Sequence, residues 1–286
     1  MIIVEPINPV AINLLGLQIR WYALAYIAAF IVGFWLVKKL IKNQKSEIRN
    51  QKSFDNLMSA VILGVILGGR LGYVLFYNLP YFLENPWKIF AVWQGGMSFH
   101  GGLIGVIVAV FLFVWKSKAK ENSPCVSRFT LYVQNIKNAF GILDILAVVA
   151  PLGLFFGRIA NFINMEVMGR ATDVAWGITF AGSLDQTPRH PSPLYEAGLE
   201  GILLFVIMFA LWRTRLRNRA GVLSGIFAIL YAVFRIFAEQ FRQPDEQLGF
   251  LTSWGLTMGQ LLSGVMLLAG ATVLVVAYKL RVMSDE

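Results

Sequence analysis

Residues 140–170 read FGILDILAVVAPLGLFF, from Phe140 to Phe156, and then GRIANFINMEVMGR, from Gly157 to Arg170. The first part is an apolar run that can cross a bilayer, which takes about 20 mostly apolar residues. The second part packs two arginines, two asparagines, a glutamate and two glycines into 14 residues. Charged and amide groups near a bilayer cost several kcal/mol each unless they find partners or serve a function. The junction therefore reads as the end of a membrane helix opening onto a polar site.

Composition extends this reading to the whole chain. Of 286 residues, 57% are hydrophobic and only 14% are charged, against about 25% charged in soluble domains; the mean hydropathy is +0.64. An all-α, polytopic membrane protein is expected, as one integral-membrane domain over residues 1–286. The net charge of +9 is not a nucleic-acid signal, because the basic residues sit mostly in connections between apolar runs. The single cysteine, Cys125, lies in a basic polar connection, so no disulfide within the chain is possible. It reads as a bystander thiol. No lysine or arginine precedes Arg20, and the N-terminus does not read as a removable signal peptide.

Seven spans are expected, roughly Ile19–Leu40, Leu57–Leu79, Met97–Trp115, Phe140–Phe156, Leu194–Trp212, Gly221–Phe241 and Leu256–Lys279. The connections at 41–56, 116–139 and 213–220 carry most of the lysine and arginine, whereas the second holds only Lys88 and the sixth only Arg242. By the positive-inside rule the former are cytoplasmic, the N-terminus is outside and the C-terminus is cytoplasmic. Residues 157–193 then form an outer loop. Its Arg158, Arg170 and Arg189 are a basic excess on the wrong side that needs a local reason. Gly64, Gly68 and Gly72, with Gly101 and Gly105, have the spacing of closely packed helices.

This orientation gathers the polar residues on one side. Arg158, Asn161, Asn164 and Glu166 leave the fourth span at its outer end. Tyr231, Arg235, Glu239 and Arg242 form one stripe on the last turns of the sixth span, at i, i+4, i+8 and i+11. His100 sits near the outer start of the third span, between Gly95-Gly96 and Gly101-Gly102. Tyr22 opens the first span, Arg70 lies in the outer half of the second, and Tyr195, Glu196 and Glu200 open the fifth. One site facing the outer leaflet is expected. Arginine forks match phosphate oxygens, so an anionic phosphate head group is one reading. The other is that the arginines pair with Glu166, Glu196, Glu200 and Glu239 as structural ion pairs. Seven arginines on that side, Arg20, Arg70, Arg158, Arg170, Arg189, Arg235 and Arg242, outnumber these four acids. His100 is either a hydrogen-bonded helix start or a proton-exchanging group. His190, beside Pro191 and Pro193, reads as a loop-fixing residue. The two histidines stand on different segments with no Cys/His cluster, so neither a metal nor another cofactor is expected.

The segment Gly157 to Glu166, closed by Gly169, closely resembles the signature of bacterial prolipoprotein diacylglyceryl transferases. Matching blocks run the length of the chain: Trp21-Tyr22, Gly68 to Tyr73, Gly95 to Gly102, Arg189 to Glu196, and Phe234-Arg235-Ile236 through Glu239 to Asp245. The stretch around 117–139 is longer than the family pattern. The resemblance implies an enzyme of the bacterial inner membrane. It implies transfer of the diacylglyceryl group of phosphatidylglycerol to the lipobox cysteine of a prolipoprotein, giving a thioether and glycerol 1-phosphate. This is the first step of lipoprotein maturation. From the needs of that reaction, these roles are expected. Arg158 and Arg235 bind the phosphate, helped by Arg70 and Arg242. Asn161 and Glu166 orient the head group or shape the loop, and Gly169 permits a close approach. Tyr22 and Tyr231 donate hydrogen bonds, Glu239 orients Arg235, and His100 is the candidate base.

Three other classes compete. A lipid transporter would show inverted repeats or paired interrupted helices, and neither is visible. A retinal photosensor would need a mid-membrane lysine in the seventh span, where Lys279 stands only at the end. A structural scaffold gives no reason for polar groups on one side.

Overall fold

A computed structural model of the chain describes residues 2–14, 17–42, 51–92, 95–118, 128–182, 186–244, 248–253 and 255–285. Cys125, Lys45, Arg49, Lys120 and Asp245 lie outside the described residues. The fold is helical: α1 (Trp21–Lys42), α2 (Gln51–Tyr77), short α3 (Leu79–Glu84), α4 (Phe99–Lys118), α5 (Arg128–Ile163), α6 (Ser192–Trp212), α7 (Val222–Ala238) and α8 (Met258–Asp285). Six of these are long and apolar enough to cross a membrane, and α7 is a shorter apolar helix. With 17 residues, α7 spans about 26 Å at helical rise, a little under the hydrocarbon thickness.

The polar connections are shorter than their composition implies. α2 begins at Gln51, where the Gln51 amide reaches Asp55 at 2.8 Å and Phe54 is already buried. α5 begins at Arg128, well before the expected span start at Phe140. Tyr132 in its first turns packs edge-on against Trp115 at 5.8 Å, which gives this polar stretch an apolar face to bury. At the other end α5 runs on to Ile163, so Gly157, Arg158 and Asn161 are helical and the loop starts later than expected.

Lipid gives no hydrophobic drive between helices, so contact quality decides the packing. α2 and α4 run antiparallel with glycines facing. A Cβ on Gly68 would run into the Gly101 carbonyl oxygen, and one on Gly101 into that of Gly68. α8 lies along α7, α1 along α5, and α5 also touches α6 and α7. The densest core, with Leu57, Val110, Val148, Leu204, Met208, Trp212 and Leu223 at or near zero exposure, sits toward the lysine- and arginine-rich helix ends. There Asp144 of α5 accepts the Gly221 and Ser224 backbone N–H groups at 2.8 and 2.7 Å and the Ser224 hydroxyl at 2.8 Å. It thus caps the start of α7 from another helix. Large apolar side chains such as Trp35, Leu67, Leu112 and Leu268 stand exposed on the outer helix faces, as a lipid-facing surface requires.

The opposite end carries a cap containing the only strands among the described residues. β2 (Val10–Leu14) and β3 (Leu17–Arg20) form an antiparallel pair leading into α1. β1 (Ile2–Val4) runs parallel to β4 (Ile178–Phe180), with Ile2 opposite Ile178 and Val4 opposite Phe180. The N-terminal residues are thereby fastened onto the 164–191 connection.

Candidate active site

Helices α5, α6 and α7 bring their charged residues together just beneath this cap. Arg158 stands on the penultimate turns of α5 and Arg235 near the end of α7. Glu196 and Glu200 come from the first turns of α6, where Ala197–Leu203 winds as a π-helix. Local π-segments recur at functional sites because they re-aim side chains. Arg158 Nε lies 2.7 Å from Glu196 Oε2, and its Nη2 lies 3.3 Å from Glu200 Oε2. Arg235 Nη1 lies 2.9 Å from Glu196 Oε1 and 3.6 Å from Glu200 Oε1. Arg235 Nη2 lies 2.8 Å from Glu239 Oε2, one helical turn on. Arg242 Nη1 reaches Glu196 Oε1 at 3.7 Å. The Thr257 hydroxyl, just before α8, donates to Glu239 at 3.0 Å.

Glu196 and Glu200 are fully buried, and Arg158 keeps 16% of its side chain exposed. Buried carboxylates are costly unless charge surrounds them, and these meet guanidinium groups from two other helices. Several of the contacts are charge against charge without aligned hydrogen bonds. Each Glu196 oxygen faces an arginine nitrogen at short range, whereas Glu200 Oε1 lacks a hydrogen-bond donor. Such a cluster holds its charges in place. Arg158, Arg235, Glu239 and Arg242 thus come together. Glu196 and Glu200 join them at the centre, where sequence reasoning had them only as possible ion-pair partners. The missed signal is two acids four residues apart inside an apolar helix, which is rarely incidental.

His100 and Tyr231 border the cluster. His100 is 9% exposed, its ring lies 6.5 Å from that of Tyr231, and its Nε2 has no hydrogen-bond partner. It also lies within electrostatic range of Arg235. Tyr231 stacks on Phe99 at 4.4 Å and on Phe227 at 6.0 Å. Tyr22 bonds Tyr26 through their hydroxyls at 3.2 Å, within electrostatic range of Arg158 and Glu166.

The remaining signature residues shape the layer above. The Glu166 carboxylate accepts from Asn161 at 3.2 Å and Asn164 at 3.4 Å, and its backbone N–H donates to the Asn161 carbonyl at 2.9 Å. This ring closes the end of α5. Met165 and Val167 take positive φ, 57° and 58°, which is an outlying conformation for a β-branched residue. Gly169 is wedged between two strands of chain: a Cβ there would lie 2.5 Å from the carbonyl oxygens of both His190 and Phe241. Arg170 donates to the Arg242 carbonyl at 2.9 Å. His190 and Trp176 both bond the Tyr195 hydroxyl, at 3.1 and 2.7 Å. A cavity of about 430 Å³ opens in this layer, lined among others by Met165, Met168, Phe180 and Arg189.

Arg70 is engaged elsewhere. It donates to the backbone carbonyls of Lys88, Ile89, Gly95 and Gly96 and lies over the Phe82 ring at 5.1 Å. It pins the segment leading into His100 instead of joining the glutamate-bound arginines. Among the described residues, no group of three or more His, Cys, Asp or Glu side chains is placed to hold a metal ion.

The sequence profile of the family described as prolipoprotein diacylglyceryl transferase matches residues 9–276. A phosphatidylglycerol–prolipoprotein diacylglyceryl transferase of Azospirillum brasilense is 51% identical over 266 residues, covering 92% of either chain. Its counterpart in Paramagnetospirillum magneticum is 50% identical over 278 residues, covering 96% of this chain and 94% of its own. That of Rhodospirillum rubrum is 48% identical over 279 residues, with the same two coverages.

Proposed function

The chain belongs to the prolipoprotein diacylglyceryl transferase family, and on that premise we propose that it transfers the diacylglyceryl group of phosphatidylglycerol to prolipoprotein at the Arg158–Arg235 cluster. This is the first step of lipoprotein maturation. The observation that carries the location is the pair of arginines from different helices meeting on two buried carboxylates, with one arginine still partly exposed.

The acceptor is the lipobox cysteine thiol of the prolipoprotein signal peptide. Its sulfur attacks the glyceryl carbon that bears the phosphate ester; a C–S bond forms, the C–O bond breaks, and glycerol 1-phosphate leaves. Three needs follow. The thiol, of pKa near 8.5, must lose its proton. The phosphodiester must lie in line with the sulfur. The charge growing on the departing phosphate must be met by fixed donors.

Arg158 and Arg235 serve the last two, with Arg242 adding positive charge. Glu239 orients Arg235 through their 2.8 Å contact. His100, whose Nε2 has no partner, takes the thiol proton. Tyr22 and Tyr231 supply hydroxyls beside the arginines. Asn161 and Glu166 close the end of α5, Gly169 lets the connection pass between His190 and Phe241, and Arg70 fixes the approach to His100. No residue of the chain becomes covalently bound. In the inner membrane the cluster faces the outer leaflet, since the lysine-rich connections lie at the opposite end of the helices.

Incubation of the purified protein with labelled phosphatidylglycerol and a lipobox peptide tests the reading. Lipid-modified peptide and free glycerol 1-phosphate are expected. Transport of the lipid without modified peptide would overturn it.

A further inference from the structure

The six contacts of the cluster are not equal. Arg158 has one short carboxylate contact, to Glu196 at 2.7 Å. Arg235 has two, to Glu196 at 2.9 Å and Glu239 at 2.8 Å. Glu200 touches the same two arginines more loosely, at 3.3 Å and 3.6 Å, and its Oε1 is buried without a hydrogen-bond donor. Each arginine is therefore fixed by a tight partner and shares a loose one with the other. Glu200 is thus the second carboxylate, after Glu196, to bridge the two guanidiniums, and it does so at distances longer than the about 2.7–2.9 Å of a tight charge-assisted contact.

Resting on the function proposed above, we infer that Glu200 is a built-in competitor for the lipid phosphate. Its carboxylate fills the anion seat between Arg158 and Arg235 while no lipid is bound, yields it to the phosphodiester, and reclaims it as glycerol phosphate leaves. Three observations support this role. Glu200 stands farther from both arginines than their other carboxylate partners do, with Arg158 Nη2 donating to its Oε2 at 3.3 Å. It stands in a π-helical turn, where the widened backbone lets a side chain shift without breaking a regular ladder. Arg158 is the partly exposed partner, which gives an anion a side from which to enter. A competitor of this kind solves a problem specific to this reaction: the product phosphate, freed of its acyl chains, carries more charge than the substrate diester and would otherwise stay on the arginines. Binding a ground state too well lowers turnover.

The test is Glu200→Gln in the full-length protein, which keeps the side chain's shape and removes its charge. Phosphatidylglycerol vesicles and a lipobox peptide serve as substrates, and glycerol 1-phosphate as inhibitor. Removal of the competitor lowers the apparent KM for phosphatidylglycerol, strengthens inhibition by glycerol 1-phosphate about tenfold, and lowers kcat through slower release. Glu196→Gln, which removes a tight support, raises KM instead. A merely structural Glu200 would leave KM and inhibition unchanged or weaken both, and that result overturns the inference. Glu200→Asp, with a carboxylate too short to bridge both arginines, gives the same decision should the glutamine variant fail to fold: tighter product inhibition supports the inference, unchanged or weaker inhibition overturns it. An unmodified protein that transfers no lipid at all would instead overturn the proposed function, so the two failures are distinguishable.

Discussion

Arg158 of α5 and Arg235 of α7 hold opposite oxygens of the same Glu196 carboxylate, at 2.7 and 2.9 Å. Two like charges are thereby fixed side by side in a buried place they would otherwise leave. The arrangement prepares a bidentate seat for an anion.

Replacing Arg158 or Arg235 by lysine keeps the charge and removes the planar fork. Transfer should fall on the order of 10²-fold, the scale of losing one transition-state donor, with the protein still folded in the membrane. Alanine at either position should abolish it. Labelled-lipid transfer on purified variants checks both, and full activity in the alanine variants would remove the phosphate-clamp role.

Glu196→Ala leaves three arginines facing a gap. Breaking a buried ion pair from one side costs about 3–5 kcal/mol. Thermal unfolding in detergent should show a much larger drop for this variant than for Glu166→Ala at the cap, whose partners are the two asparagine amides.

His100→Gln preserves size and hydrogen bonding but cannot accept the thiol proton. A fall in kcat of about 10²–10⁴-fold is expected for a lost general base, with little change in KM. Activity should recover as pH approaches the thiol's own pKa near 8.5. A variant that keeps its rate at neutral pH would exclude histidine as the base.

Asp144→Ala removes the carboxylate that receives Gly221 and Ser224. A lost cap costs about 1–2 kcal/mol, so the melting temperature should fall while KM for the lipid stays as it was. A changed KM would tie this distant cap to the site.

Gly68→Leu or Gly101→Leu forces α2 and α4 apart and should abolish folded protein in the membrane. Gly141→Ala, where nothing lies within 4 Å of the added carbon, should be silent. Fluorescence-detected size exclusion compares the two directly.

Much of this was legible in the sequence. The apolar runs announced the spans, the glycine spacing announced the α2–α4 contact, and the i, i+4, i+8 stripe put Tyr231, Arg235 and Glu239 on one face. Polar stretches misled at the edges. A helix continues wherever its next turn finds something to pack on, as Tyr132 finds Trp115, and composition does not reveal that partner. The strand pair between Ile2–Val4 and Ile178–Phe180 joins segments far apart in sequence, so no local pattern announces it. Arg70 was grouped with the phosphate-binding arginines, and its hydrogen bonds to the carbonyls of Lys88, Ile89, Gly95 and Gly96 were not legible, because depth in a helix locates a residue along the bundle, not around it. Glu196 and Glu200 were seen, but their central place became visible only once three helices met.

Membrane insertion adds one consequence. Three arginines and three glutamates in contact make the cluster neutral as a whole, yet α6 alone carries two carboxylates and α5 alone carries Arg158 at the same depth. Each is an awkward passenger in lipid until the other arrives. α5 and α6 therefore bury these charges favourably only when paired with each other.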